Sequence, residues 1–422
     1  MSNLSFMEKL LDGVEVEWKQ LGEVGEFIRG NGILKKDLID TGFPAIHYGQ
    51  LHTKYGLSAD KAFTCVSHEF AKKLRKAINN DLLLATTSEN DEDVVKPLAW
   101  LGDEVAISGD MMLFRHEQNV KYLAYYFETE AFQEQKRKYI NGAKVRRVSK
   151  DSLIKIQIPI PCPDNPEKSL KIQAEIVRIL DAFTELTTEL TTELTTELTL
   201  RKKQYNYYRE QLFSFDKEDV IHLPMGQEGV GDFIRGSGLL KKDFTKTGVG
   251  CIHYGQIHTY YGTYTDQTKT FVSEDFAKKA RRAKSGDLVI ATTSENDDDV
   301  CKAVAWIGEG EIAVSSDACF YRHTLNPKYV SYFFQTEQFN KQKRQYITGA
   351  KVRRVNADNL AKILIPIPSP DEQARIVTIL DKFEALTNSI TEGLPREIDL
   401  RQKQYEYYRD LLLSFPKPEV NA

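Results

Sequence analysis

The residue types best suited to molecular recognition fall in three short stretches. The first is His47-Tyr48-Gly49-Gln50, with His52 just beyond it. The second runs from Thr86 to Asn90 and includes Thr87, Ser88 and Asn90. Their imidazole, amide and hydroxyl groups match the donors and acceptors on base edges. The third is basic: Lys136-Arg137-Lys138-Tyr139, then Lys144, Arg146 and Arg147. Arg29, Lys35 and Lys36 add cations upstream. Clustered Lys and Arg neutralise phosphates and release counterions. Each stretch also has a plainer reading: turn chemistry for the polar loops, a solvated face for the charges.

All three stretches occur twice, and a long internal repeat governs the whole fold. Arg29, Lys35 and Lys36 return as Arg235, Lys241 and Lys242. His47, Tyr48, Gln50 and His52 return as His253, Tyr254, Gln256 and His258. Thr87, Ser88 and Asn90 return as Thr293, Ser294 and Asn296. After an extra residue near Gly310, Lys144, Arg146 and Arg147 return as Lys351, Arg353 and Arg354. An insertion from about Asp164 to Leu170 in the first copy shifts the register again, and Ile179-Leu180-Asp181 then matches Ile379-Leu380-Asp381.

Catalytic arrangements are missing. The sequence has no GxxxxGK[ST] phosphate loop. Gly30-Asn31-Gly32 is too short for a dinucleotide fingerprint, and no Asn/Asp-Pro-Pro-aromatic run, the usual amino-methyltransferase site, occurs. Pro163-Asp164 with Glu167-Lys168 has the wrong spacing for a nuclease motif and no second copy. His47, His52, Cys65 and His68 suggest a metal set, but Phe271 and Glu274 replace the last two in the repeat. A tetrahedral site does not survive losing its thiolate, so no metal is expected. Glu89, Asp91, Glu92 and Asp93 read as a solvated loop or a base-edge reader. The five cysteines include no CxxC pair, which fits a reducing cytosol and a cytoplasmic location. No apolar run reaches the ~18–20 residues of a membrane span, and the N-terminus does not read as a signal peptide. The net charge of −4 over 422 residues does not exclude a nucleic-acid partner, because local patches decide that.

The elements that must position these residues are of two kinds. Residues 1–161 and 216–368 read as mixed α+β globular domains; residues 162–215 and 369–422 read as helical. Short apolar runs such as Leu82 to Ala85, Leu288 to Ala291, Val105 to Ile107 and Ile154 to Ile160 predict strands. Val120 to Tyr139 has helical spacing, and Pro159-Ile160-Pro161 reads as a rigid exit from the domain. Long helices are predicted from about 170 to 213 and 370 to 413. The first contains the tract Thr187-Thr188-Glu189-Leu190, repeated through Leu194 and Leu198, with Leu186 ending a weaker first copy. The second keeps the spacing at Leu386, Ile390, Leu394 and Ile398, while Gly393 and Pro395 predict a kink or fraying. A helix of this length spans ~65 Å, longer than a small domain is wide. Two such helices with matching stripes are expected to bury each other as an antiparallel coiled coil, with a globular unit at each end and a pseudo-two-fold relation.

This layout resembles the specificity subunit of type I restriction–modification systems. The tetrapeptide tract, Asp164-Asn165-Pro166-Glu167-Lys168, the run from Arg201 to Arg209 and the stretch from Leu386 to Glu397 resemble its IC subgroup. The resemblance implies a non-catalytic reader of double-stranded DNA, assembled with two methylation subunits and, in the nuclease, two restriction subunits. It places S-adenosylmethionine, ATP and Mg²⁺ on those partners and none on this chain. A self-contained methyltransferase or nuclease, and a coiled-coil scaffold that binds no DNA, are the competing readings. Near-identical recognition domains imply a split, nearly palindromic target, although differences such as Thr53-Lys54 against Thr259-Tyr260 leave room for one altered base. One TTEL unit lengthens a helix by ~6 Å and rotates it by ~40°, against roughly 34–36° per DNA base pair. Deleting Thr195–Leu198 is therefore expected to shorten the unread gap in the target by about one base pair. Mapping methylated adenines in DNA exposed to the assembled complex measures this, and an unchanged gap refutes it.

Overall fold

A computed structural model describes residues 11, 13–216, 219–388 and 392–415. They form two compact units, one holding the residues up to Glu193 with those from Ile398, the other Leu194–Glu397.

In the first unit a five-stranded sheet has the order Gly25–Arg29, Met111–His116, Leu82–Ala85, Lys96–Trp100, Ser58–Ala59. A four-stranded sheet follows the order Thr64–Val66, Phe43–Ile46, Val105–Ile107, Lys76–Ala77. The second unit repeats both orders strand for strand, with Leu288–Ala291 central to its five-stranded sheet. Leu82–Ala85 and Leu288–Ala291 are buried along their whole length. A strand covered on both faces reads as a continuous apolar run, which is why these two are visible in the sequence.

Two expected elements differ. Val120 to Tyr139 is two helices, Val120–Phe127 and Glu130–Arg137, because the Thr129 side chain accepts from the Phe132 amide and starts a new helix. Pro159-Ile160-Pro161 is no exit segment. It lies inside the strand Gln157–Pro161, paired antiparallel with Val16–Gln20. A proline without an N–H is tolerated in such a two-stranded ribbon.

Pro166–Leu212 is one helix of 47 residues. The second helical region is two helices of 19 residues, Pro370–Asn388 and Leu394–Leu412. Gly393 separates them at φ +80°, where a Cβ would lie 2.4 Å from the Ala385 carbonyl oxygen. Pro395 falls in the first turn of the final helix, where its missing N–H is not needed. Along the stripes Leu186 is 51% exposed, whereas Leu190, Leu194, Leu198, Leu386, Leu394 and Ile398 are half-buried. Ile390 lies outside the described residues.

Each body is latched to the helix that follows it. Asp181 accepts from Lys121 Nζ at 2.5 Å and from the Tyr125 hydroxyl at 2.8 Å. Asp381 does the same for Lys328 and Tyr332, both at 2.7 Å. Gln173 and Gln373 accept from the backbone of Asn119 and Asn326 at 3.0 and 2.9 Å. A second helix then closes each unit. In the first, Phe183 stacks on Tyr408 and Asp410 caps the amide of Glu130. In the second, Tyr205 and Tyr208 lie against Phe383, and Glu210 caps Glu337.

His116 and His323 end corresponding strands, and burial holds both rings neutral, with pKa values pushed down to about 4. The unfolded chain takes up these protons first, so the stability is present above pH ~6.5 and is lost as pH falls towards 4. Each ring is expected to remove up to roughly 3 kcal/mol over that window. Denaturant titrations across pH measure the slope, which flattens in His116→Phe/His323→Phe.

Candidate nucleic-acid interface

In the first unit the strand Thr87–Ser88 pairs antiparallel with Arg146–Arg147, Arg146 opposite Ser88 and Arg147 opposite Thr87. Residues almost sixty positions apart therefore form one polar and basic ribbon. Its counterpart joins Thr293–Ser294 to Arg353–Arg354 in the same register. The turn before it requires glycine: Gly142 and Gly349 have φ of +98° and +92°, and a Cβ would meet the Val145 or Val352 carbonyl at 2.1 Å. At the tip Val145 and Val352 are each 45% exposed, between Lys144 and Arg146 in one unit and Lys351 and Arg353 in the other.

Arg29 sits beside the ribbon, with Nε donating to the Gly109 carbonyl at 2.8 Å, while Thr86 donates to the adjacent Asp110 carbonyl. In the second unit Arg235 donates to Ser316. There Arg235, Thr293, Asp317, Tyr346, Arg354 and Asn356 line one open cleft of ≈ 310 Å³. Lys35 and Asp110 both act on the His47 ring, and Lys241 and Asp317 on His253; burial first, then the nearby lysine, lowers each imidazole pKa. Lys35, Lys36, Lys144 and Arg147 are exposed, as are Lys241, Lys242, Lys351 and Arg354.

Other expected readers are committed to local structure. The His47 amide donates to Gln50 Oε1 at 2.9 Å, Gln50 Nε2 donates to Thr64, and His47 Nδ1 accepts from Gly49. This capping box recurs at His253 and Gln256. It starts the helices Tyr48–Thr53 and Tyr254–Thr259. Tyr48 and Tyr254 lie against the two histidine rings at 4.6 and 4.7 Å. Asn90 and Asn296 bind the backbone and carboxylate of Asp93 and Asp299 in closed turns. Thr87 and Thr293 are buried, at 6% and 7% exposure. His258 Nε2 faces the Thr293 carbonyl at 3.2 Å, and His52 is half-buried at the equivalent place. Ser88 and Ser294 stay half-exposed.

The basic run on the helix corrects a sequence expectation. Lys136 is 1% exposed, and its Nζ donates to the carbonyls of Glu92 and Val94 at 2.8 and 2.9 Å. Lys343 holds Asp298 and Val300 the same way. Arg137 and Arg344 pair with Glu130 and Glu337. Lys136 and Lys343 brace the acidic loop from inside rather than meeting phosphates, because their helix turns that side towards the core, whereas Arg137 and Arg344 stay exposed. Asp91 of that loop pairs with Arg146 at 2.7 Å, and Asp297 with Arg353 at 2.8 Å. Among the described residues no group of three or more His, Cys, Asp and Glu is placed to hold a metal ion, and no helix is long and apolar enough to cross a membrane.

The sequence reading missed Arg75 and Arg281. Both are exposed and donate to the carbonyls of Arg29 and Arg235. Their recurrence at matching positions of the repeat was the available signal.

Duplicated α+β bodies, each carrying a basic ribbon and closed by long helices, define a class of paired recognition modules. Residues 13–200 and 227–400 each match the type I restriction modification DNA specificity domain. The chain is 36% identical over 431 residues to the specificity subunit of the Escherichia coli enzymes EcoR124I and EcoR124II, covering 100% of this chain and 99% of that one. It is 32% identical to the EcoprrI specificity subunit of Escherichia coli, over 93% of both chains. Among solved structures, a chain from work on assembly and conformational transition of the type I restriction–modification system has a TM-score of 0.66 at 14% identity, covering 94% of this chain and 97% of that one. The HsdS subunit of Thermoanaerobacter tengcongensis has a TM-score of 0.52 at 14% identity, covering 94% and 95%; these two likenesses bear on the fold. The chain belongs to the type I restriction–modification specificity subunits.

Lys136→Met leaves two buried carbonyls without donors, which costs about 1–3 kcal/mol for each group orphaned. The variant is expected to lower the thermal midpoint of the protein, with the first sign of loosening in hydrogen exchange across residues 90–96.

Proposed function

We propose that each unit lays its ribbon and the adjoining basic face on double-stranded DNA, and that together they read a split, nearly palindromic target. The observation that carries this is the ribbon itself. It recurs in both units with the same residues in the same register. Arg147, Lys144, Lys35 and Lys36, with Arg354, Lys351, Lys241 and Lys242, supply exposed cations without an internal partner among the described residues. Arg29 and Arg235, anchored by one nitrogen each, keep further donors for a base edge or phosphate. Ser88 and Ser294 stand beside them as polar readers. The capping-box residues His47, Gln50, His253 and Gln256, and the turn residues Asn90 and Asn296, hold the loops in shape.

The chain has no catalytic role in this reading. Two methylation subunits bring S-adenosylmethionine, and two restriction subunits bring ATP and Mg²⁺. The helices join the two readers, and the TTEL tract sets the number of unread base pairs.

Arg147→Ala and Arg354→Ala are each expected to weaken binding across all sequences and to lower the slope of log K against log salt by about 1. Gel shifts of the assembled complex at several salt concentrations measure this. Methylation mapping that returns unrelated half-sites overturns the palindromic reading.

A further inference from the structure

The cationic and polar residues assigned to reading are identical in the two units, so they cannot make one half of a target differ from the other. A difference has to come from exposed positions near them that are not shared. One pair of positions stands out. In the first unit Lys54 places its ammonium over the ring of Phe63, 5.8 Å from the centroid. In the second unit Tyr260 occupies the place of Lys54 and Lys269 the place of Phe63, and Lys269 lies over the Tyr260 ring at 4.3 Å. The cation–aromatic contact is kept while its two members have traded places.

Both positions are rigidly held. Lys54 and Tyr260 end the helices that begin at the capping boxes, each amide bonding back to Gln50 or Gln256. The neighbouring buried tyrosine then fixes the second position: Tyr55 accepts from the Phe63 amide at 3.0 Å, and Tyr261 from the Lys269 amide at 2.7 Å. The same short helices carry His52 and His258, and His258 faces the ribbon strand at Thr293. Both rings face solvent, Phe63 at 60% and Tyr260 at 56% exposure. An exposed cation–aromatic pair contributes about 0.5–1 kcal/mol, and each ring also rests on a buried tyrosine, Phe63 on Tyr55 at 4.8 Å and Tyr260 on Tyr261 at 5.0 Å, which leaves its outer face open to a partner.

We infer that this exchanged pair, Lys54 with Phe63 and Tyr260 with Lys269, is a specificity determinant that makes the two half-sites differ at one position. The inference rests on the proposed reading of DNA by the ribbon face. The exchange carries the positive charge from one position of the pair to the other, a displacement on the order of the 3.4 Å rise per base step along the DNA axis. It also moves an apolar ring that can meet a thymine methyl group or wedge at a base step. A cation answers to a phosphate and a ring to a base, so trading them shifts which base pair is sampled while the rest of the half-site stays the same.

The test uses the full chain assembled with its methylation subunits, and maps methylated sequences for the parent protein, for Lys54→Tyr/Phe63→Lys and for Tyr260→Lys/Lys269→Phe. The parent target is expected to have halves differing at one base pair. The first variant should make the first half-site match the second, and the other variant should do the reverse, with a change in preference on the order of 10-fold at that position. Should a double variant fail to fold, Lys54→Gln and Lys269→Gln replace it, and each must alter preference in one half-site alone. Unchanged sequences in folded variants, or identical halves in the parent, overturn the inference and leave the ribbon reading intact. A parent complex that methylates without sequence preference, or does not bind DNA, overturns both.

Discussion

The carboxylates of Asp181 and Asp381 govern the architecture. Each sits on a helix that follows its body and is gripped by a lysine and a tyrosine from the helix Val120–Phe127 or Pro327–Phe333. A helix carrying a reading head is useful only if the head cannot swivel on it. Apolar packing by Ile176 and Leu180, or Ile376 and Leu380, supplies attraction but little direction. A partly buried ion pair with a hydroxyl donor fixes azimuth as well as distance. The glutamine contact about two turns earlier adds a second fixed point, and two points prevent rotation.

From that anchored helix the order propagates outward to the recognition face. The helix Glu130–Arg137 is capped from another segment by Asp410, and its Lys136 then reaches through the core to hold the acidic loop. That loop offers Asp91 to Arg146, whose strand pairs with Thr87–Ser88. The exposed cations are therefore the last members of a chain of contacts that begins at the helices. Burying an ammonium is costly, and its pKa is pushed down to about 8 by desolvation. Two carbonyl acceptors make the arrangement tolerable, and the same pair of contacts recurs at Lys343.

Much of this was legible in the sequence because the repeat is direct. The duplicated bodies, the buried strands Leu82–Ala85 and Leu288–Ala291, the long helix and the break at Gly393 all follow from spacing and residue type. The break at Thr129 did not show, because the apolar period continues across it and only the hydroxyl signals a cap. The direction of Lys136 was hidden as well. A lysine beside two other basic residues reads as surface, and only tertiary packing turns it inward. For the same reason His47, Gln50 and Asn90 looked like free readers, since a capping side chain and a base-reading one have the same chemistry. The pairing of Arg147 with Thr87 depends on long-range register, which no local pattern encodes.

The first unit is completed by the last helix of the chain. Leu412, Leu413 and Phe415 lie in the same core as Leu11, Ile172 and Leu180, and Phe415 meets the Tyr122 ring edge-on. The buried core of the second unit is built from residues between Tyr205 and Leu380. During synthesis the second body can therefore assemble its core while the first, its hydrophobic floor open, still waits for Leu412, Leu413 and Phe415. The order in which the two bodies mature is the reverse of the order in which they are translated.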